Sequence, residues 1–570
     1  MSSHRGAPPM TEGVRDVEWQ FDAVDFRPVQ RWLDQPERRN DPSAVEVAAD
    51  GSGVIQVEVY FETDDWRFRN AGYALRIRRL GRRHGAEASL KGLNPVSGGV
   101  PGLRSRLELS ERLEGADLQT LLRAGGPVGR RVRALRGRKR LLPLFEVRTR
   151  RRTFVLNAPG SPSGTIAFDE TAIRPPRGGS PVRLQRVEIE VPPAAAQVLE
   201  PFVLELRDAC ALQPAGLSKF EVGLLSYDLG PPVPRFGVSE IDPEMTIGAV
   251  ALAVLRRQFS ALLAKEPGTR LGDDIEALHD MRVANRRLRA AMALFAAVLP
   301  EAALKAREEL VWVGQILGAV RDLDVQIEQL DDWLATGEAT DRRALELLHS
   351  LLQEQHETAR ATMLEMLDSR RYEALVSRLG RTLRARHAHR SGQASQPARA
   401  LAPDLIESRY RAVRKAGDQI SPDSPAISYH RLRIRCKRLR YALEFLGGLY
   451  PDQTRPLIKR IVVVQDVLGL HQDAYVAIDR LRHLAASGSD DIDPATIFAM
   501  GEIAERHRQS TIALRARFPA AYGQLSGKRW RAFREQLERA RPSPGTFGEQ
   551  HPFNRQSVRR CRACDGSTRP

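Results

Sequence analysis

Between residues 14 and 227, apolar and polar residues alternate in short runs separated by Gly and Pro clusters. The runs VEWQF, IQVEVYF, YALRIRR, ASLKG, RLELSERL, TIAFDE and RVEIEV keep a period of two, which predicts strands of a mainly antiparallel sheet. Residues 26–33 and 194–211 carry helical spacing instead, so this half reads as α+β with strands predominant. LGPPVPRFG, residues 229–237, is rich in breakers and has no periodicity, as a linker would be. From Thr246 to about Ala521 one amphipathic helical pattern follows another, LLHSLLQEQHETARATMLEML among them, and this half is predicted to be all-α. The boundaries that follow are a disordered start (1–13), a strand-rich domain (14–228), a linker (229–238), a helical domain (239–528) and a basic disordered tail (529–570).

The helical half contains an internal repeat. LHDMRVANRRLRA (278–290) aligns without gaps on YHRLRIRCKRLRY (429–441), and further on Leu317-Gly318 aligns with Leu468-Gly469 and Asp322 with Asp473, all in one register. Two copies of a helical bundle about a pseudo-twofold axis are expected. His279, Arg282, Arg286 and Arg289 fall at i, i+3, i+7 and i+10, on one helix edge, and His430, Arg433, Lys437 and Arg440 repeat the arrangement. Met281, Val283 and Leu288, with their counterparts Leu432, Ile434 and Leu439, are expected to face inward. Like charges at this spacing repel, so the strips require either counter-charges, for which Asp322, Asp324 and Asp473 are candidates, or a bound polyanion. The two histidines fit direct contact or core positions equally well.

The charge balance sharpens the second alternative. Basic residues outnumber acidic ones, 88 to 71, for a formal net charge of +17, and only nine of the 88 are lysine. Arginine's planar fork grips phosphate oxygens in pairs, although codon bias enriches arginine without any phosphate. Cys210 and Cys436 lie in apolar-periodic segments, as small buried thiols do, and Cys561-x-x-Cys564 has no second pair to complete a zinc site. Four cysteines make no disulfide framework, which fits a reducing cytoplasm. The best apolar run, from Ile247 to Leu255, is closed by Arg256 and Arg257, so neither a membrane span nor an export signal is expected.

In the strand-rich half the charges share the period of two. Asp16 and Glu18, Arg76 and Arg78, Arg104, Arg106 and Glu108, and Glu188 and Glu190 each alternate with apolar residues. A solvated face explains any single strand; so many Arg and carboxylate pairs suggest a barrel with a polar interior under covering helices. Such an interior suits a polyanion with a hard divalent cation, Mg²⁺ or Mn²⁺.

The two strip segments, HDMRVANRRLRA with LGAVRDLD and HRLRIRCKRLRYALEF with VLGLHQDA, resemble the two halves of a CHAD domain over roughly 239–525. The resemblance implies a helical domain that cradles inorganic polyphosphate on His279, Arg282, Arg286, Arg289, His430, Arg433, Lys437 and Arg440; association with polyphosphate granules is left open by the sequence. The run VYFETDDWRFRNAGYALRIRR (59–79), followed in order by ASLKG, RSRLELSERL, PLFEVRTRRRTF, IAFDETAI, RVEIEV and LSKFEVGL, resembles the CYTH superfamily of triphosphate tunnel metalloenzymes over about 14–228. That implies an eight-stranded antiparallel tunnel with flanking helices. Its metal ligands would be Glu18, Glu188 and Glu190, with Asp16 and Asp169 beside them, and its triphosphate ligands Arg76, Arg78, Lys91, Arg104, Arg106, Arg148, Arg150 and Lys219. Where that family carries Glu-x-Glu-x-Lys, this chain has Asp16-Val17-Glu18-Trp19-Gln20, with a shorter acid and one cation fewer.

Two functions remain open on the sequence: a metal-dependent inorganic triphosphatase addressed to polyphosphate, and a non-catalytic polyphosphate binder whose tunnel serves as sensor or scaffold. Specific nucleic-acid binding has no base-reading motif to support it.

Overall fold

The structure is a computed structural model. It describes residues 14–35, 45–49, 53–79, 85–93, 102–158, 162–176, 178–230, 236–336, 342–384, 392–486, 494–525 and 528–541. The expected disordered start, residues 231–235 of the linker and Cys561 and Cys564 lie outside these residues.

The strand-rich half comprises β1 (Val14–Asp22), α1 (Arg27–Leu33), β2 (Glu46–Ala49), β3 (Val54–Glu62), α2 (Arg67–Asn70), β4 (Tyr73–Arg79), β5 (Ala86–Gly92), β6 (Leu103–Leu113), α3 (Leu118–Arg123), α4 (Pro127–Arg136), β7 (Leu142–Asn157), β8 (Gly164–Arg174), β9 (Val182–Val191), α5 (Ala196–Ala209), β10 (Gln213–Pro214) and α6 (Lys219–Ser226). Strand order is β1-β6-β5-β4-β3-β7-β8-β9, every pair antiparallel, and β1 pairs β9 as well, so the ladder of eight strands curls back on itself. Alternation assigns the faces. Trp19, Phe21, Ile166, Phe168, Val187 and Ile189 point outward and are covered by Val29 and Trp32 of α1 and Leu199, Phe202 and Val203 of α5. Leu75, Ile77, Leu90 and Leu109 are covered by Phe68, Leu121, Val128 and Val132. Each such side chain buried stabilises the fold by about 1.5–3 kcal/mol, so the apolar exterior under helices drives closure and leaves the charged face inside.

LSKFEVGL, read among the strand segments, is the helix α6. Ser218 caps it, accepting from the Glu221 amide while the Glu221 carboxylate accepts from Ser218, a reciprocal pair that outweighs the strand-like alternation. Its Phe220 and Leu224 pack on Tyr60, Phe145 and Val147.

The helical half consists of α7 (Ile247–Leu271), α8 (Ile275–Leu294), α9 (Glu301–Thr336), α10 (Arg342–Asp368), α11 (Arg370–Arg384), α12 (Ala398–Gly417), α13 (Ala426–Leu446), α14 (Pro451–Ala486), α15 (Pro494–Gly523) and α16 (Lys528–Arg539). Helices α7–α10 and α12–α15 are the two copies of the repeat. Met281, Leu288, Leu432 and Leu439 are buried as expected, whereas Val283 is half-buried and Ile434 exposed, because a stripe at i and i+7 leaves the position two residues on at the flank. The tail is also corrected in part. Residues 528–539 form a helix whose Trp530 stacks on Tyr410 at 3.6 Å and whose Phe533 and Leu537 are buried. Helices α7 and α14 are long and apolar enough to cross a membrane by length and composition, contrary to the sequence expectation; Ile247, Val250, Leu255, Leu457, Ile461 and Val464 of these helices pack in the helical core.

The two halves meet through charge. Arg67 of α2 lies 3.5 Å from Glu266 of α7, which also accepts from Arg270 (2.8 Å) and the Tyr372 hydroxyl (2.9 Å). Gly137, at φ 54°, is required here: a Cβ would stand 2.4 Å from Asp368 Oδ1.

Candidate functional site

Every second residue of the barrel strands faces the interior, and many of these are charged. One cavity of about 460 Å³ is lined by Glu18, Arg76, Arg78, Lys91, Arg106, Glu108, Arg151, Glu188, Glu190 and Lys219, among others. On one wall Arg76 donates to Glu58 (3.0 Å), Glu108 (2.7 Å) and Ser89 (2.7 Å), and Arg78 to Glu58 (2.6 Å). Burial alone would raise these carboxyls, but the guanidiniums of Arg76 and Arg78 hold Glu58 down to about 2, and Arg76 and Lys91 do the same for Glu108. Lys91 stands 3.3 Å from Glu18 and 3.5 Å from Glu108. On the other wall Arg151 bridges Asp169 (2.7 Å) and Glu188, and Lys219 reaches Asp169 (2.5 Å) and Glu188 (3.2 Å). Burial opposes the charge on Lys219, yet Asp169 and Glu188 keep its ammonium above its ordinary pKa. Glu188 is held well below its own against burial, by Lys219 and Arg151.

The expected residues divide. Glu18, Arg76, Arg78, Lys91, Arg106, Glu188, Glu190 and Lys219 share the cavity. Arg104 is buried beside it and donates to the Ala215 carbonyl. Asp16 lies on β1 opposite Arg106 of β6. Asp169, fully buried, is committed to Arg151 and Lys219. Arg148 and Arg150 are a correction: both are exposed on the outer face of β7, Arg150 near Glu170 at 3.9 Å, while Arg151 points inside. The run RTRRRT carries arginine on both parities, so alternation cannot choose the face; the pairing of Arg151 with Asp169 across β7 and β8 does. Glu58, Glu108, Arg151 and Arg186 were missing from the expected set, although the period-two signal in IQVEVYF and RLELSERL marks the first two.

A metal is implied by the resemblance. Glu18 stands directly opposite Glu190, and Gln20 opposite Glu188, across β1 and β9. Glu18 Oε1 is buried with no hydrogen bond among the described residues, only the Lys91 ammonium at 3.3 Å beside it. Hard carboxylate oxygens are the ligand type that suits a divalent cation, although among the described residues no three acidic, imidazole or thiol groups stand close enough to share one.

In the helical half the strips face one another. Arg282 pairs with Asp322 at 3.4 Å and Arg433 with Asp473 at 3.7 Å, the same contact in both copies. Gly318 and Gly469 of the repeated Leu-Gly lie beside these guanidiniums, where a Cβ would make ordinary contact at 3.6 and 3.8 Å. Asp324 turns instead to His356, at 2.8 Å. Arg286 donates to the Tyr441 hydroxyl at 2.8 Å, joining α8 to α13. Burial, together with Arg286 and Arg433, pushes the Lys437 ammonium down to about 7. Arg440 is satisfied by Glu444 (2.7 Å) and Gln465 (3.0 Å), whereas Arg289 Nε, buried against Gly314, has no acceptor among the described residues. His430 is held by Gln472 at 2.7 Å; His279 is half-buried, its pKa lowered by burial and Arg321. Counter-charges therefore reach Arg282, Arg433 and Arg440 and leave Arg286, Arg289 and Lys437 without a carboxylate partner among the described residues.

Residues 43–221 match the CYTH domain and residues 253–482 the CHAD domain. The CYTH match begins after β1, the strand that closes the ladder. Solved structures with similarity include the CHAD domain from the plant Ricinus communis (30% identity, 51% of this chain, 96% of that one, TM-score 0.43). PptA from Streptomyces chartreusis matches at 23% identity over 48% of this chain and 99% of that one, TM-score 0.41. A putative adenylyl cyclase, HpAC1 from Hippeastrum, described as having a dominant triphosphatase activity, matches at 17% identity over 37% of this chain and 96% of that one, TM-score 0.25. No curated protein sequence matches.

Proposed function

We propose that this chain, which carries a CYTH domain followed by a CHAD domain, binds inorganic triphosphate or the end of a longer chain in its barrel and hydrolyses the terminal anhydride, while its helical domain holds polyphosphate. The observation that supports it best is the pairing of charges inside the barrel: buried cations stand ready for phosphate oxygens, each beside a carboxylate suited to a hard cation. Glu18 and Glu190, opposed across β1 and β9, with Glu188 drawn in from Arg151 and Lys219, would hold Mg²⁺ or Mn²⁺, which when bound offsets phosphate charge and lowers the pKa of water. Arg76, Arg78, Lys91 and Arg106 would orient the chain and neutralise the leaving diphosphate as water oxygen bonds to the terminal phosphorus and the bridging P–O bond breaks. Lys219 and Arg151 hold Glu188 ionised. In the helical domain Arg282, Arg286, Arg289, Arg433 and Lys437 would meet successive phosphates, and tethering would raise the chain's local concentration at the barrel.

The test is phosphate release from tripolyphosphate with Mg²⁺ or Mn²⁺, expected well above a Glu188→Ala, Glu190→Ala control. Turnover no higher than the control favours the second reading, a tunnel that binds without catalysis, for which the neutral Gln20 beside Glu188 speaks. Competition of polyphosphate with duplex DNA at matched salt checks the helical domain; tighter DNA binding overturns its assignment.

A further inference from the structure

The two copies of the helical repeat differ around one pair of equivalent arginines. Their register holds through the helix starts, Ile247 with Ala398 and Ile275 with Ala426, so residues of α7–α9 have direct counterparts in α12–α14. Arg289 corresponds to Arg440. Arg440 donates through Nε to Glu444 at 2.7 Å and through Nη1 to Gln465 at 3.0 Å. The counterparts of those two acceptors beside Arg289 are Ala293 and Gly314, neither of which carries a side-chain acceptor. Arg289 Nε is accordingly buried with no hydrogen-bond partner among the described residues. Burial lowers the pKa of Arg289, and Arg286, Arg307 and Arg282 nearby lower it further.

Glu444 also reaches across the pseudo-twofold seam. Its Oε2 lies 2.7 Å from Arg287 Nη1 of α8 without the alignment of a hydrogen bond, so the contact is an ion pair. Arg287 donates besides to Gln258 of α7 at 3.1 Å and lies over the rings of Tyr441 and Phe445, 5.5 and 5.7 Å from their centroids. At the symmetric place Arg438 is exposed, with Ala290, Ala293 and Leu294 where Tyr441, Glu444 and Phe445 would stand, and Arg409 where Gln258 would. One carboxylate therefore joins the copies on one side of the axis and neutralises one of two equivalent arginines. A guanidinium already held by a carboxylate gains little by exchanging it for a phosphate, whereas a buried N–H without an acceptor gains a full charge-assisted bond.

We propose that Glu444 is a positioning residue that ties the two copies together at Arg287 and withholds Arg440 from the ligand, so that polyphosphate meets an unequal groove in which Arg289 is a contact and Arg440 an internal brace. This rests on the polyphosphate reading of the helical domain.

Calorimetric titration of the full chain with polyphosphate tests it, with EDTA present so that the barrel lacks its divalent cation. In the parent, Arg289→Gln is expected to weaken binding about tenfold and Arg440→Gln by no more than about twofold. Glu444→Ala with Ala293→Glu moves the acid to the other copy at unchanged net charge, and its i,i+4 spacing sets it beside Arg289. The order is then expected to reverse, Arg440→Gln weakening binding about tenfold and Arg289→Gln about twofold, an outcome that a merely structural Glu444 would not produce. Should the exchanged chain fail to fold, Glu444→Gln alone is expected to raise the loss caused by Arg440→Gln to about fivefold. Equal losses for the two arginines in the parent, an order that survives the exchange, or an Arg440→Gln loss that Glu444→Gln does not enlarge overturns the proposal. A parent that binds no polyphosphate overturns the reading of the helical domain itself, and the proposal with it.

Discussion

The barrel and the helical strips both concentrate basic side chains, but they balance them in opposite ways. Inside the barrel Arg76, Arg78, Lys91, Arg151 and Lys219 each touch a buried carboxylate within 3.5 Å. Across the strips, Arg282 and Arg433 have half-exposed aspartates at 3.4 and 3.7 Å and Arg440 has Glu444 at 2.7 Å, while Arg286, Arg289 and Lys437 have no carboxylate among the described residues. Enclosure explains the difference. A closed interior excludes water, so an unpaired charge costs more there than on the surface, and most of the barrel's cations sit beside carboxylates, Arg104 and Arg106 excepted. Helix surfaces keep water within reach, so like charges are tolerated at a modest cost until a polyanion arrives. A ligand entering the barrel must exchange one set of charged partners for another; a ligand on the strips adds the partner that is lacking.

The largest expected effect that tests this contrast is on stability. Glu58→Gln leaves Arg76 and Arg78 short of their buried partner and is expected to cost about 3–5 kcal/mol by denaturant titration. Asp473→Asn, at a half-exposed pair, is expected to change stability by less than about 1 kcal/mol and to tighten polyphosphate binding. Similar losses for the two would erase the distinction. Next, replacing Arg286, Arg433 and Lys437 together by alanine is expected to lower polyphosphate affinity about 100-fold and flatten the salt dependence; an unchanged salt slope would place the chain elsewhere.

Acid provides a third, smaller effect, confined to the barrel. Glu58 and Glu108 have folded pKa values of about 2 against an ordinary 4.5, so the stability they contribute is fully present above about pH 4.5 and is lost as pH falls toward 2. Barrel unfolding monitored from pH 5 to pH 2 is expected to shift in the parent and much less in a Glu58→Gln, Glu108→Gln chain. The smallest effect concerns Lys437. With its pKa depressed to about 7, it is protonated below that pH and must take up a proton to meet phosphate above it. Polyphosphate affinity is therefore expected to fall severalfold between pH 7 and 9, and Lys437→Arg to remove that dependence. An identical pH profile for the arginine variant would mean that Lys437 takes no part.

Much of this was legible in the sequence, for physical reasons that differ by element. Strands β4, β6 and β9 alternate so regularly that their inward residues follow from parity, as Arg76, Arg106 and Glu188 show. The repeat exposed both strips because a gapless offset keeps the same helix faces in register. Strand β7 resisted because consecutive arginines occupy both parities, and α6 because KFEVGL alternates like a strand while its cap lies one residue upstream, at Ser218. Helix α16 was obscured by its basic composition, and only the stacking of Trp530 on Tyr410 reveals its docked face.

Residue order alone determined which side chains point together: period two decides the face of a strand, period 3.6 the face of a helix, and both are local consequences of backbone geometry. Which charges neutralise one another was decided only when distant segments met. Asp169 and Lys219, or Arg286 and Tyr441, become partners through ladder closure and helix packing, and Arg186 and Arg289 keep an unpartnered N–H for the same reason. Hydrogen bonds and ion pairs act over a few ångströms, so their outcome belongs to the assembled fold.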